Sequence, residues 1–293
     1  MRVEAGTPGW RIGVIGGSGL YDVSGLEDAQ EIAVSSPFGE PSAPVTIGRI
    51  GHVGFVFLPR HGKGHRIAPE AINARANIDV LKRCGVTDVL AISAIGSLRE
   101  ELAPGSFVAV DQFIDRTNGR AGSFFGEGLV AHVSMADPVC PRLAAVAADA
   151  AVAAGAVVHR GGCYLAMQGP QFSTRAESRM YRQWGADVIG MTALPEARLA
   201  REAELPYALL GMVTDYDSWR AGEHVEVADV LRVMAGNTAL ARNTLVRLAA
   251  LLPVRRESSP IDCALDGAIM TAPAHRDPAL VAKLGAIAGR ALG

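Results

Sequence analysis

Two aspartates that follow an apolar run carry the clearest chemical signal in this sequence. Residues 207–213 (YALLGMV) predict a buried strand, and Asp215 and Asp217 come directly after it in VTDYDSW. Side chains two positions apart in extended backbone point the same way, so both carboxyl groups can face one ligand at the carboxyl end of the strand. Adenine suits such a pair, because one carboxylic acid can protonate a ring nitrogen while the other accepts from the amine. A solvated turn with two aspartates is the alternative.

A glycine-rich loop after the first predicted strand is a candidate anion site. In GVIGGSGL (13–20) the glycines let backbone N–H groups approach an anion, and Ser18 adds a hydroxyl donor. A dinucleotide site would need a second strand that ends in an acidic residue about 20 positions later. Residues 21–42 are loop-like and predict no such strand. The loop therefore favours a single phosphate over NAD.

A basic cluster follows the predicted strand 53–59. Within LPRHGKGHRIAPEAIN, seven consecutive positions contain Arg60, His61, Lys63, His65 and Arg66. Arginine can bind phosphate through two parallel N–H bonds, and His61 can donate a third. A solvated basic loop is the alternative, but a second glycine-flanked loop at the same sheet edge favours one shared phosphate site. A metal ion at His61 and His65 is disfavoured, because the neighbouring cations would repel it.

Further polar side chains stand at other predicted strand ends. Ser93 and Ala94 end a strand in AISAIGSLRE, and Thr192 ends another in GADVIGMTALPEA, where it can complete an anion cage. Glu196, near the start of the next helix, is interpreted as a capping charge. Phe172 lies in a loop before a helix, where an aromatic ring either stacks on a base or packs into the core.

The elements that must position these residues alternate along the chain. Predicted strands cover 12–15, 45–50, 53–59, 86–93, 107–113, 161–167, 188–191 and 207–214. Predicted helices cover 71–84, 141–154, 174–184, 196–202 and 227–251. Strands separated by helices of this length predict an α/β protein with a parallel or mixed sheet and helices on both faces.

The last forty residues are predicted to form a tail rather than a domain. The polar, proline-flanked segment 253–262 is the best linker candidate, which makes 1–253 the catalytic domain. Asp277 and Pro278 can cap a short final helix with Leu280, Leu284 and Ile287 on one face. Residues 254–293 are too few for a separate core, so we expect them to pack on their own or a neighbouring subunit.

Composition excludes several classes of protein. The chain has 293 residues, of which 49% are hydrophobic and 20% charged, enough apolar material for a large core. A net charge of −2 gives no sign of a nucleic-acid or membrane partner. Four scattered cysteines, without a CxxC pair, suit a reducing cytoplasm. There is no G-x-S-x-G elbow and no Walker loop, which disfavours a serine hydrolase and ATP-driven chemistry.

The order of the motifs resembles the 5′-methylthioadenosine phosphorylase branch of the trimeric purine nucleoside phosphorylases, over about residues 11–253. The segments that carry it are GVIGGSGLYD, PRHGKGHRIAPEAINARANI, SAIGSLREELAPGSFVAVDQFIDRT, QGPQFSTRAESRMYRQWGADVIGMTALPEARLAREAELPYA and VTDYDSW. The resemblance implies a single-domain α/β fold around a mixed, partly barrel-like sheet. It also implies a homotrimer, with a hexamer left open, that splits methylthioadenosine with inorganic phosphate as co-substrate and without metal or organic cofactor.

By motif, the resemblance assigns phosphate binding to Ser18, Arg60, His61, Ser93 and Thr192. It assigns the base pocket to Ala94, Phe172 and the catalytic pair Asp215 and Asp217, and the ribose floor to Met191. It places His65, Val227 and Leu231 beside the methylthio group, together with His132 and Met270 from an adjacent subunit. Chemically, bound phosphate would stabilise the positive sugar while Asp215 neutralises the departing purine at N7.

The chain departs from the family pattern at a few positions. Ser18 and Ser93 stand where family members often have threonine, and both keep the hydroxyl. Gly190 replaces an asparagine before Met-Thr, and the tail retains only Cys263 of a cysteine-rich ending. Two alternatives remain: a phosphorylase for 6-oxopurines such as methylthioinosine, which typically has asparagine in place of an aspartate, and a non-catalytic nucleoside-binding module.

Overall fold

The computed structural model describes residues 9–17, 19–20, 23–220 and 225–293. The strands in these ranges are β1 (Arg11–Gly16), β2 (Glu27–Ile32), β3 (Val45–Ile50), β4 (Val53–Pro59), β5 (Asp88–Ser97), β6 (Phe107–Val110), β7 (Gln112–Arg116), β8 (Val158–Arg160), β9 (Cys163–Met167), β10 (Val188–Gly190) and β11 (Tyr207–Asp215). The helices are α1 (Ala74–Arg83), α2 (Pro141–Ala153), α3 (Arg175–Gln183), α4 (Ala193–Glu202), α5 (Val227–Leu251), α6 (Pro278–Lys283) and α7 (Gly285–Leu292).

All of these strands belong to one mixed sheet that is centred on β5. The main path runs β2–β3–β4–β1–β5–β10–β9–β7, and β11 lies between β5 and β6. β5 is parallel to β1 and β11 and antiparallel to β10. Because only Asp111 separates β6 from β7, the path β5–β10–β9–β7 returns to β5 through β6 and β11. The sheet is therefore partly closed, which confirms the predicted α/β fold with a mixed, partly barrel-like sheet.

Helices cover both faces of β5, whose side chains alternate between two apolar cores. Val89 and Ala91 pack into a core that includes residues of α1, α4 and α7. Leu90 and Ile92 pack into a core that includes residues of α2 and α5. Burial on both faces explains why the sequence of β5 is a continuous apolar run. The two cores also hold in place the strand ends that carry the site.

The strand β2 was not predicted from the sequence. It lies in the segment 21–42, which we interpreted as loop without a strand, and that interpretation is wrong. Five of its six residues are exposed, and it pairs antiparallel with β3 at the edge of the sheet. It therefore lacks the alternating apolar pattern that marks a half-buried strand. Its antiparallel edge position also differs from the parallel second strand of a dinucleotide-binding unit.

The C-terminal segment is fastened to the sheet rather than joined by a loose linker. Arg256, within the predicted linker, is 6% exposed, and its Nε donates to Asp88 Oδ2 at 2.5 Å. Its Nη1 and Nη2 donate to Asp262 at 2.8 and 2.6 Å. The final helical stretch is two helices, α6 and α7, that meet at Leu284, and Asp277 caps α6 by accepting from Ala279 N at 2.8 Å.

The same segment contributes apolar side chains to the core of its own subunit. Leu265, Leu284 and Ile287 are each 1% exposed and belong to the core that contains α1 and α4. Among the helices that the structure describes, none combines the length and the apolar character that crossing a membrane requires.

Candidate active site

One cavity of about 510 Å³ collects most of the residues that were singled out in the sequence. It lies where β1, β4, β10 and β11 reach their carboxyl ends, beside the second half of β5. Two sequence-distant groups, one basic and hydroxylic and one acidic, therefore face a common space. The predicted site residues that line it are Arg60, His61, His65, Ser93, Ala94, Phe172, Met191, Thr192, Asp215, Asp217 and Leu231.

Arg60 is the buried cation of this cavity. It is 2% exposed, and Glu196 binds it through two parallel bonds: Nε to Oε1 at 2.5 Å and Nη2 to Oε2 at 3.1 Å. Burial opposes the charge of Arg60, but the Glu196 carboxylate outweighs this effect and raises the pKa of the guanidinium. Glu196 does lie in the first turn of α4, as a capping charge would, but it is 1% exposed and its carboxylate is bound to Arg60. Its partner lies 136 positions away.

Ser93 and Thr192 meet beside Arg60. The Oγ of Ser93 lies 3.4 Å from Oγ1 of Thr192, although β5 and α4 are far apart in the sequence. The backbone N–H of Thr192 donates to the hydroxyl of Tyr164 at 3.3 Å. A methyl group on Gly190 would lie only 2.1 Å from that hydroxyl. Tyr164 thus fills the space beside Gly190. In the sequence, the presence of Tyr164 at the site was indicated only by the glycine at position 190.

His61 is held as a neutral imidazole. Its Nδ1 lies 2.8 Å from the carbonyl oxygen of Ile67, which can only accept, so Nδ1 carries the proton. Burial, with a smaller contribution from the nearby Arg60 and His65, lowers the pKa of His61 to about 4, against the raising effect of the Ile67 carbonyl. The ring stacks on His65 with centroids 4.2 Å apart. In this form Nε2 is an acceptor, whereas the predicted phosphate contact needs a donor.

Asp215 and Asp217 also line the cavity, and they converge for a different reason than predicted. Pairing between β11 and β5 shifts between Val213 and Asp215, and Asp217 lies in a left-handed turn with φ of 47°. Oδ1 of Asp215 accepts from the Asp217 N–H at 2.8 Å, and Oδ2 accepts from Thr214 Oγ1 at 2.7 Å. The turn, rather than strand alternation, brings the two carboxyl groups together.

Burial gives this acidic pair an unusual affinity for protons. It raises the pKa of both Asp215 and Asp217, partly against hydrogen bonds that lower it. Oδ2 of Asp217 is buried and has no hydrogen-bond partner in the part of the chain that the structure describes. A buried carboxyl oxygen without a partner is costly unless it is protonated or meets a ligand. The pair is therefore suited to exchange protons with a bound heterocycle.

The remaining walls of the cavity are mostly apolar. Phe172 is 43% exposed, and Leu231 on α5 is 64% exposed. The carbonyl of Met191 accepts from Arg120 Nη1 at 2.5 Å, and Arg120 also donates to Leu194 and Gln168 carbonyls. Arg120 thus fastens the loop that carries Met191. Sequence reasoning missed it, since its segment carries no motif.

Three of the predicted residues that the structure describes are not brought into this cavity. Ser18 lies outside the described residues. Val227, the first residue of α5, is 62% exposed and does not line the cavity. His132 and Met270 lie together on a separate surface, where His132 N donates to Ala268 O at 2.9 Å and Met270 N to Val130 O at 2.8 Å. No group of three or more His, Cys, Asp or Glu in the described ranges could hold a metal ion.

Comparison with known proteins agrees with this fold. The family model described as Phosphorylase superfamily matches residues 11–250, and the chain belongs to that superfamily. It is 56% identical over 285 residues to the S-methyl-5′-thioadenosine phosphorylase of Cereibacter sphaeroides, covering 96% of this chain and 98% of the relative. The protein of the same name from Bradyrhizobium diazoefficiens is also 56% identical, with 96% and 98% covered.

Solved structures show the same similarity. A methylthioadenosine phosphorylase from an antarctic soil metagenomic library superimposes with a TM-score of 0.90 at 41% identity, covering 94% of this chain and 98% of that one. A variant of the adenosine/methylthioadenosine phosphorylase from Schistosoma mansoni, in complex with adenine, superimposes with a TM-score of 0.84 at 36% identity, covering 89% and 99%.

Proposed function

We propose that this protein is a pentosyltransferase that splits S-methyl-5′-thioadenosine with inorganic phosphate into adenine and 5-methylthioribose 1-phosphate. The observation that carries the proposal is the single cavity in which the acidic pair Asp215 and Asp217 and the cluster of Arg60, Ser93 and Thr192 face a common space. Relatives at 56% identity over nearly the whole chain bear the name of this activity. The separation into an acidic and a basic end matches the two polar ends of the reaction.

The phosphate binds at the basic end. Arg60 supplies charge, and the hydroxyls of Ser93 and Thr192, 3.4 Å apart, supply donors to the same anion. His61 completes the subsite, and its neutral ring gains a proton or accepts the hydroxyl of the protonated phosphate. We assign Ser18 to the same subsite from its motif. Inorganic phosphate is thus a co-substrate, and the reaction needs no metal or organic cofactor.

The purine binds at the acidic end. When the C1′–N9 bond breaks, its electron pair goes to the adenine ring while a phosphate oxygen bonds to C1′. Asp215, whose pKa is raised by burial, donates a proton at N7 and so neutralises the leaving base. Asp217 accepts from the exocyclic amine through its unpartnered oxygen. Ala94 and Phe172 hold the base between them, and Phe172 can stack on the ring.

The sugar lies between the two ends, over Met191, with its hydroxyls near the backbone of that residue. His65 and Leu231, which line the cavity, border the methylthio group, and His132 and Met270 of an adjacent subunit cover it. This arrangement calls for a homotrimer, or a hexamer of two trimers. We assign catalysis to residues 1–253, with 254–293 packed against them, and place the enzyme in the cytoplasm, where its small-molecule substrates occur. Neither a nucleic acid nor a membrane takes part.

A substrate panel with and without phosphate tests the proposal. Release of the free base is followed for methylthioadenosine, adenosine, methylthioinosine and inosine. We expect adenine from methylthioadenosine only when phosphate is present. Binding without base release would instead identify a non-catalytic nucleoside-binding module. Faster turnover of methylthioinosine would assign the enzyme to 6-oxopurines, and turnover without phosphate would make it a hydrolase.

A further inference from the structure

The Arg60 guanidinium has a nearly complete set of partners before any anion binds. Of its five N–H donors, Nε donates to Glu196 Oε1 at 2.5 Å, and Nη2 donates to Glu196 Oε2 at 3.1 Å and to Ile15 O at 3.3 Å. Nη1 donates once, to Ile92 O at 3.1 Å. Within the described residues, this leaves one N–H of Nη1 for the cavity that Arg60 lines. The direction of that N–H depends on what holds the rest of the group.

Glu196 is the residue that holds it. Glu196 is 1% exposed and is not among the residues that line the cavity, so its effect on a ligand there is exerted through Arg60. It belongs to α4, four positions after Thr192, and its bidentate pair with Arg60 joins the start of α4 to the end of β4. The hydroxyl of Tyr207 donates to the same carboxylate at 3.3 Å. The pair therefore fixes the spacing between the two anion contacts, Arg60 and Thr192.

We propose that Glu196 is a positioning residue of the phosphate subsite, which aims the remaining N–H of Arg60 and sets its distance from Thr192. The inference deepens the proposed function and rests on it. The guanidinium of Arg60 is rigid and planar, so a small rotation moves all of its N–H donors together. A shift of the Glu196 carboxylate therefore turns the remaining N–H of Nη1 away from the ligand, although Glu196 does not contact the ligand. A small displacement at such a site weakens binding strongly. The acidic end lies outside this coupling and keeps its geometry.

The test variant is Glu196→Asp, which retains the negative charge that Arg60 needs but shortens its side chain by one methylene. We expect KM for phosphate to rise at least about tenfold, as when a charged hydrogen bond is lost. KM for methylthioadenosine should stay within about twofold, since the base pocket is intact. The matched control is Glu202→Asp on the same helix. Glu202 is also buried, but it accepts from Ser123 Oγ at 2.7 Å and Phe124 N at 2.6 Å, away from this cavity.

Phosphate binding without turnover separates this inference from the proposed function. Thermal stabilisation by inorganic phosphate alone is measured for the wild type, Glu196→Asp and the isosteric Glu196→Gln, which serves if the shorter variant does not fold. We expect a clear shift in the wild type and in Glu202→Asp, and a much smaller one in either Glu196 variant. No shift in the wild type would defeat the phosphorolysis proposal. Equal shifts in all proteins, or KM values that rise together for both substrates, would overturn the positioning role alone.

Discussion

A methyl group on Gly96 would lie 3.0 Å from Oδ1 of Asp215. The two residues pair across β5 and β11, immediately after the register shift that follows Val213. The same methyl group would also lie 3.0 Å from Ile189 Cγ2. A side chain at position 96 would displace the Asp215 carboxyl by a few tenths of an ångström, so the glycine leaves Asp215 its place at the cavity. Glycine is needed here for close approach rather than for a left-handed backbone.

The first prediction follows from this contact. In Gly96→Ala, the added methyl group displaces the Asp215 carboxyl from the position in which we propose that it protonates N7 of the base. We expect kcat/KM for methylthioadenosine to fall by roughly tenfold to a hundredfold, because a small misplacement of a catalytic group is costly. The control is Gly54→Ala on β4, where a methyl group would meet no atom closer than 3.6 Å. Unchanged kcat/KM in Gly96→Ala would show that Asp215 tolerates displacement.

The second prediction concerns the choice of base. Asp217→Asn replaces an acceptor by an amide that can donate to a 6-carbonyl. We expect the preference for methylthioadenosine over methylthioinosine, measured as the ratio of kcat/KM values, to fall by about 1–3 kcal/mol per hydrogen bond exchanged. Asp215→Asn is the matched control, since loss of the N7 acid should slow both substrates alike. A ratio that stays the same in Asp217→Asn would contradict the assignment of the amine contact.

The fold could be predicted best where burial imposes a period on the sequence. The bounds of β3, β4 and α5 are those expected, at 45–50, 53–59 and 227–251. β2 was missed because its exposed residues carry no apolar alternation. The run 107–113 predicted one strand, but Asp111 divides it into β6 and β7. That division closes the barrel, and it depends on pairing with distant strands that a local pattern does not contain.

The site could be predicted from motifs at strand ends, because parallel strands bring those ends together. What the motifs could not supply is how each side chain is held. Glu196 reads locally as a helix-start charge, yet its partner Arg60 is 136 positions away. Tyr164 and Arg120 support the loop 190–194 through backbone groups, and such contacts leave no pattern of residue types.

The third prediction concerns the attachment of the C-terminal segment. Arg256→Ala removes a 6%-exposed guanidinium from between Asp88 and Asp262, and Asp88 is fully buried. Arg142 still pairs with Asp88 at 2.6 Å in this variant, so the loss of stability is reduced but not abolished. We expect the free energy of unfolding in urea to fall by about 2–4 kcal/mol. Arg49→Ala, whose pairs with Glu27 and Asp28 are exposed and screened by solvent, should cause a clearly smaller loss. Equal losses in the two variants would contradict the predicted role of Arg256.

The fourth prediction is a pH dependence of stability that originates at His61. Burial lowers its pKa from 6.5 to about 4 in the folded chain, so between these values the unfolded chain binds the extra proton. The contribution of the neutral His61 ring to the free energy of unfolding is fully present above pH 6.5, and it is lost as the pH falls toward 4. Because part of the ring faces solvent, we expect the loss to amount to no more than about 2 kcal/mol.

Urea unfolding of His61→Gln and the wild type at pH 7.5 and pH 5, in buffers free of phosphate, measures this effect. The glutamine amide can still donate to the Ile67 carbonyl but does not titrate, so the variant should lose less stability than the wild type on acidification. His159→Gln on β8 controls for the loss of any imidazole and should follow the wild type. A loss in His61→Gln as large as that of the wild type would mean that His61 is not held neutral. In that case, a proton on His61 would not be disfavoured by the neighbouring Arg60 and by the His65 ring that stacks on it.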